Sequence, residues 1–246
     1  MNNNNNNNNN NIIEKTLIIV PCYNAGNTIF NTINDIRNTG FFNIVLSDDK
    51  SNDDTILQIE NNFPDIKLIK HQLNLGYGGS QKSLYNYAKT ENFEYVIMIH
   101  GDNQYSPSML PEIANQLYNG AEFVLASRFL LNPIIGGMPL YKYFFNRVLT
   151  KLQNHITNQT LSEYHSGLRG YNIKILEKVD YNKFSNNFIF DNQMLLSIIK
   201  YRFKISEIPC ETKYDNTTSS ISLKNSIIYG IGVLIETFKF KIYKVK

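Results

Sequence analysis

The sequence contains no tryptophan, two cysteines and no apolar run long enough to cross a bilayer. Cys22 and Cys210 stand far apart, which excludes a disulfide-stapled scaffold and a cysteine-based zinc cluster. The most apolar late stretch, residues 227–235, is interrupted by Gly230 and Gly232 and flanked by Lys224 and Glu236, too short for a spanning helix. An excess of one charge is also missing: Lys and Arg number 24 and Asp and Glu 21. Lys239, Lys241, Lys244 and Lys246 crowd the last eight residues, and without them the balance is 20 against 21. A near-neutral body carries no nucleic-acid footprint. The opening residues 2–11 are all asparagine, which resembles no signal peptide and cannot bury enough surface to offset its ordering entropy. A disordered tract over 1–11 is expected, in a soluble, cytoplasmic protein of a reducing compartment.

The remaining chain holds 16 Tyr and 15 Phe, enough for a sizeable core. Short apolar runs at 16–20, 43–47, 66–69, 95–99 and 123–126 read as buried strands, the first ended by Pro21. Between them, apolar residues at helical spacing predict helices such as 28–37, with Ile29, Ile33 and Ile36 on one face. Strand and helix alternate up to residue 126, the pattern of an α/β sandwich with a mainly parallel sheet. Beyond 127 the rhythm breaks, with helices expected at 140–156 and 190–201 and a strand at 204–207. One domain is expected over 12–224, followed by a C-terminal helix or basic tail over 225–246.

Ligands of open α/β sheets sit beyond the carboxyl ends of the strands, and the polar clusters fall there. They are Pro21-Cys22-Tyr23-Asn24, Asp48-Asp49 and His100-Gly101-Asp102. The glycine loop around Gly76 and Gly78 lacks the third glycine of a dinucleotide fingerprint and follows the third strand, so a dehydrogenase is set aside. Its role is either close packing against a ligand or a tight turn. His100 is either a nitrogen ligand for a metal or a packed strand-end histidine. Asp191 is either a general base or the cap of the helix that follows; Glu163 and His165 are the other base candidates.

Six ordered landmarks resemble those of the family 2 inverting glycosyltransferases: Pro21-Cys22-Tyr23-Asn24, residues 48–55, Asn74-Leu75-Gly76, the Asp102 motif, Ser127-Arg128 and residues 166–170. The chain is most similar to the dolichyl- or polyprenyl-phosphate sugar transferase branch. The resemblance implies a GT-A nucleotide-sugar-binding fold, a three-layer sandwich around a mixed, mainly parallel sheet. It implies transfer, with inversion, of a sugar from a nucleotide-diphospho-sugar to a lipid phosphate or a hydroxyl. Pro21, Tyr23, Asn24, Asp48, Asp49, Gly76, Gly78, His100 and Asp102 would then bind the donor. Asp102, with His100 and Gln104, would hold Mg²⁺ or Mn²⁺ against the departing diphosphate, although the family's first motif aspartate is here His100. Arg128, Arg147, Ser166 and Arg169 would face the acceptor, guanidinium suiting phosphate, and Asp102, Arg128 and Asp191 would be the catalytic set. The lysines and aromatics of 238–246 would suit peripheral contact with a membrane carrying a polyprenyl or dolichyl phosphate, if they are not simply a solvated tail. A binding protein without activity and a nucleotidyltransferase are the alternatives.

Overall fold

The computed structural model describes residues 11–212 and 223–244. The expected disorder over 1–11 therefore falls, but for Asn11, outside the described residues. Helices flank a seven-stranded sheet of order β3-β2-β1-β4-β6-β5-β7. Its strands are β1 (Thr16–Cys22), β2 (Ile44–Asp48), β3 (Lys67–Lys70), β4 (Tyr95–Met98), β5 (Phe123–Ser127), β6 (Arg169–Asn172) and β7 (Ile205–Pro209). β6 runs antiparallel between β4 and β5; the other pairings are parallel.

The helices are α1 (Ile29–Asn38), α2 (Thr55–Asn62), α3 (Tyr77–Thr90), α4 (Leu110–Tyr118), α5 (Leu140–Thr157), α6 (Ile173–Lys178), α7 (Phe190–Lys200) and α8 (Leu223–Lys244). Ile29, Ile33 and Ile36 of α1 and Leu110, Ile113 and Leu117 of α4 are buried in the core on one side of the sheet. Leu84 and Tyr85 of α3, Ile175 of α6 and Met194, Leu195 and Ile198 of α7 fill the core on the other. This is the expected three-layer arrangement. Edge strand β3 presents Lys67 and Lys70 outward, which discourages pairing with a further strand.

One local expectation is corrected. β1 does not stop at Pro21 but continues to Cys22. The Ile19 carbonyl accepts from Ile99, so by two-residue alternation Pro21 turns its missing N–H to the same side, past Met98 where β4 ends. Of the two alternatives for the segment from 225, the helix is the one formed up to Lys244: α8 packs against α5 and α7, and Val233, Thr237 and Phe240 are buried. Among the described residues no helix is long and apolar enough to cross a membrane.

Candidate active site

Strand order reverses between β1 and β4, and the crevice beyond their carboxyl ends opens into a cavity of about 840 Å³. The β1–α1 turn forms one wall. Asn24 adopts φ 51°, a left-handed conformation that asparagine tolerates. Its N–H donates to Ser51 Oγ at 2.8 Å and its Oδ1 accepts from the Asn52 N–H at 2.9 Å. The Gly26 N–H donates to Asp53 Oδ2 at 2.9 Å. Asp53 thus clamps the turn to the loop before α2, leaving Pro21 and Tyr23 on the cavity wall.

Asp49 lines the cavity yet is only 3% exposed. Its Oδ1 meets His71 Nδ1 at 2.9 Å and accepts from the Leu75 N–H at 2.7 Å, while Oδ2 accepts from the Gly76 N–H at 2.8 Å. The carboxylate shapes the glycine loop and still has acceptor capacity at Oδ2. Asp48 lies beneath the wall, fully buried, with Oδ2 accepting from the Ser51 N–H and Oδ1 without a partner. It does not line the cavity, in contrast to the expected donor contact, because its carboxylate is turned to the Ser51 N–H at 3.0 Å.

The two glycines divide. Gly76, at φ 82°, lines the cavity, whereas Gly78 packs on protein. A Cβ on Gly78 would lie 2.5 Å from the Ser185 carbonyl oxygen and 2.7 Å from Phe190 Cβ. The expected donor role of Gly78 gives way to close backbone approach: its N–H donates to the Asn186 carbonyl at 2.7 Å.

His100, Asp102 and Gln104 all line the cavity. Asp102 Oδ1 accepts from the Gln104 N–H at 3.1 Å. His100 is spent differently. Its Nε2 is 2.9 Å from Tyr77 Oη, and that hydroxyl donates to Asp191 Oδ2 at 2.7 Å. Since the tyrosine proton goes to Asp191, His100 Nε2 must donate to Tyr77. Gln81 Nε2 donates to Asp191 Oδ1 at 3.1 Å, so both carboxylate oxygens are engaged. A nitrogen that donates a proton cannot ligate a metal, so Nε2 is removed from the expected ligand set. No three His, Cys, Asp or Glu among the described residues form a metal cluster. The remaining donor set, one carboxylate with an amide beside it, fits a hard cation that takes its other ligands from substrate phosphate and water.

The acceptor-side arginines separate sharply. Arg128 is 7% exposed and lines the cavity. Its Nε donates to Glu163 Oε1 at 2.9 Å, its own N–H donates to Glu163 Oε2 at 2.9 Å, and Nη2 pairs with the same carboxylate. Glu163 is thereby committed to Arg128. Arg147 is exposed and lies over the Phe129 ring, 5.7 Å from its centroid, off the cavity wall. Arg169 is fully buried, its guanidinium donating to the carbonyls of Ser166 at 2.7 Å, Asp191 at 2.7 Å and Tyr164 at 3.2 Å. The guanidinium thereby ties the loop before β6 to the first turn of α7, and the expected acceptor contacts of Arg169 and Ser166 are not made at the cavity surface. The Ser166 hydroxyl is itself buried and unpartnered. Asp191 is not the cap of α7 but sits in its first turn, 7% exposed.

Several site residues carried no readable signal. Tyr77 is one, a tyrosine within the glycine loop. Lys142 of α5 lines the cavity, its amine held below the usual lysine range by burial and then by the nearby Arg128. His165, already a base candidate from the sequence, also lines it, Nδ1 2.9 Å from Tyr229 Oη and Nε2 buried without a partner. Burial, with the Arg128 and Arg169 charges, pulls the His165 imidazole down to about 3, so it is neutral. Tyr141 and Phe145 of α5 and Ile227 of α8 add an apolar rim.

Known proteins resemble this chain in sequence and in fold. The sequence model of the family described as Glycosyl transferase family 2 matches residues 17–180. An uncharacterised protein of Methanocaldococcus jannaschii is 24% identical over 233 residues, 94% of this chain and 93% of that protein. A protein of Methanococcus voltae named UDP-N-acetylglucosamine–dolichyl-phosphate N-acetylglucosaminyltransferase is 24% identical over 244 residues, covering 93% of this chain and 96% of its own. Among solved structures, glucosyl-3-phosphoglycerate synthase of Mycobacterium tuberculosis, in complex with Mg²⁺ and UDP, superposes with a TM-score of 0.71 at 13% identity, covering 94% of this chain and 83% of that one. The same enzyme with Mn²⁺, UDP-glucose and phosphoglyceric acid gives 0.69, covering 92% and 79%. These likenesses are to the fold.

Proposed function

The chain belongs to glycosyl transferase family 2 and is a glycosyltransferase of the GT-A fold, and from that premise we propose that it moves a sugar from a nucleotide-diphospho-sugar to a lipid-linked phosphate, with inversion at the anomeric carbon. The observation that carries the choice of acceptor is the state of the acids and cations around the cavity. A hydroxyl acceptor needs a general base. Asp191 already accepts from Tyr77 and Gln81, Glu163 is locked to Arg128, and the His165 imidazole, pulled down to about 3, is too weak a base to take a proton at neutral pH. A phosphate acceptor arrives ionised and needs cations instead. Lys142 lines the cavity beside Arg128, whose charge Glu163 already meets; burial first and Arg128 second hold the Lys142 amine below the usual lysine range, a cost that a bound anion would relieve. The apolar rim of Tyr141, Phe145 and Ile227 suits the first carbons of a lipid chain.

On the donor side, Pro21, Tyr23, Asn24, Asp49 and Gly76 would receive the nucleoside. Tyr23 is 52% exposed at the cavity edge and offers a ring face to a base. Asp49 Oδ2 would accept from a base or ribose donor. Asp102, with Gln104 beside it, would hold a divalent cation, which when bound neutralises charge on the departing diphosphate. His100, held by Tyr77, fixes the floor under the sugar. The acceptor oxygen would attack the anomeric carbon as the diphosphate oxygen leaves from the opposite face, forming one C–O bond and breaking one.

Two substitutions test the division of labour. Lys142→Gln is expected to raise KM for a polyprenyl phosphate about tenfold, equivalent to losing one charge-assisted hydrogen bond, while donor affinity by calorimetry stays unchanged. Asp102→Asn is expected to reduce kcat about a hundredfold or more and to abolish the cation's effect on nucleotide affinity. A Lys142→Gln enzyme with unaltered acceptor KM would overturn the phosphate reading. An Asp102→Asn enzyme with full turnover would overturn the donor arrangement.

A further inference from the structure

α5 and α8 leave a broad apolar surface uncovered. On α8, Ile228, Ile231, Ile235, Phe238 and Ile242 follow one another at intervals of three and four residues, so they form one stripe. They are 59%, 54%, 50%, 50% and 64% exposed. The opposite side of that helix, with Val233, Thr237 and Phe240, is the buried one. On α5, Leu140, Phe144 and Val148 repeat at intervals of four and are 59%, 64% and 66% exposed. Ile135, in the turn before α5, is 85% exposed. The two helices pack on each other, with Leu149 Cδ1 about 4.0 Å from where a Cβ of Gly230 would be. Their outer faces converge at the mouth of the cavity, which Tyr141 and Phe145 of α5 and Ile227 of α8 line. A surface of this kind marks an interaction site rather than ordinary exposure.

Charge decides the occupant. α5 contains no Asp or Glu but holds Lys142, Arg147 and Lys151. α8 adds Lys239 and Lys241 against one acid, Glu236, which is already paired with Lys239 at 2.8 Å. The whole chain is close to balanced, so this is a local bias. Two copies of such a face would set like charges against each other, which disfavours self-association. Aliphatic and aromatic side chains interleaved with lysines are instead what the interfacial region of an anionic bilayer takes up.

We propose that the outer face of α5 and α8, with the turn at Ile135, docks on an anionic lipid bilayer and so places the cavity mouth at the headgroup level. This deepens the lipid-phosphate reading and rests on it for its purpose, but docking itself needs neither donor nor transfer. It also shifts the anchor from the last nine residues to two whole helices. Phe240, an aromatic of that terminal segment, is in the core and unavailable.

The test is flotation of the full-length protein with vesicles of phosphatidylcholine alone or mixed with phosphatidylglycerol, with no nucleotide-sugar present. The protein is expected to float with the mixed vesicles and to be released as salt rises. The combined substitution Phe144→Gln, Val148→Gln, Ile231→Gln and Ile235→Gln is expected to lower partitioning at least about tenfold, with an unchanged melting curve and unchanged turnover of a water-soluble short-chain phosphate acceptor. The paired substitution Lys151→Glu and Lys241→Glu, which leaves the apolar residues in place, is expected to lower it as well. Wild-type protein that stays with the solution in mixed vesicles would overturn the proposal. So would a quadruple variant that floats like wild type, or a wild-type dimer that the quadruple variant converts to monomer. Failed turnover of every phosphate acceptor by a protein that nevertheless floats would count against the acceptor reading and leave docking standing.

Discussion

Tyr77 holds the centre of the site through one hydroxyl. It accepts from His100 and donates to Asp191, so its oxygen links the end of β4 to the first turn of α7. Tyr77→Phe keeps the ring stacked on Phe188, at 4.9 Å between centroids, and removes only that oxygen. It leaves a buried carboxylate and an imidazole N–H each short of a partner, which costs roughly 1–3 kcal/mol. Chemical denaturation should show that loss, and kcat should fall while the ring contacts hold KM. His165 makes a second prediction at the same scale. Its folded value of about 3 lies below the ordinary 6.5, so the unfolded chain takes up the proton first as pH falls. Stability tied to the neutral ring is complete above about 6.5 and is lost progressively toward 3, at a slope of roughly 1.4 kcal/mol per pH unit. Melting temperatures from pH 7 to 4 should fall more steeply in wild type than in His165→Gln, and equal slopes would contradict the assignment.

At the scale of elements, what was legible depended on whether a segment announced itself by pattern. β1, β2, β4 and β5 are short apolar runs, and their burial on both faces makes them readable without a structure. β6 is Arg-Gly-Tyr-Asn, four residues with no apolar run, and it nevertheless sits in the middle of the sheet. Three carbonyls satisfy its arginine, and Gly170 gives room to Ile113, whose Cγ2 would lie 2.4 Å from a Cβ. Neither fact exists until the tertiary structure does. The strand-end clusters were readable for the same reason as the strands, and Asp49, His100 and Asp102 do share one cavity. That Asp48, Ser166 and Arg169 lie under its wall was not readable, because burial follows from packing rather than residue type. The glycine loop and the 185–190 segment are one packing unit. Gly78→Ala pushes a methyl into the Ser185 carbonyl and Phe190, backbone and core that cannot swing aside. A loss of about 1–3 kcal/mol is expected in equilibrium unfolding, with weaker nucleotide binding as the loop under Gly76 shifts.

Across the whole molecule, the sheet's reversal point, Asp102 in the loop after β4, Arg128 just past β5 and Lys142 of α5 converge on one cavity with an apolar rim. In the proposed reading the donor would enter over Pro21 and Asp49 at the β1 and β2 ends and the acceptor phosphate over Arg128 and Lys142, all of which line that cavity. The account therefore ties two substrates of opposite solubility to opposite rims of one site. Its most direct test is the product itself. The purified full-length protein is incubated with UDP- and GDP-sugars, a polyprenyl phosphate and, separately, a hydroxyl-bearing glycan, with Mg²⁺ or Mn²⁺ present. The extracts are resolved by mass spectrometry and the anomeric configuration is read by NMR. The account predicts a polyprenyl-phosphate sugar whose anomeric configuration is opposite to that of the donor. Sugar recovered only on the glycan, or a phosphate-linked product with the donor's configuration retained, would contradict it.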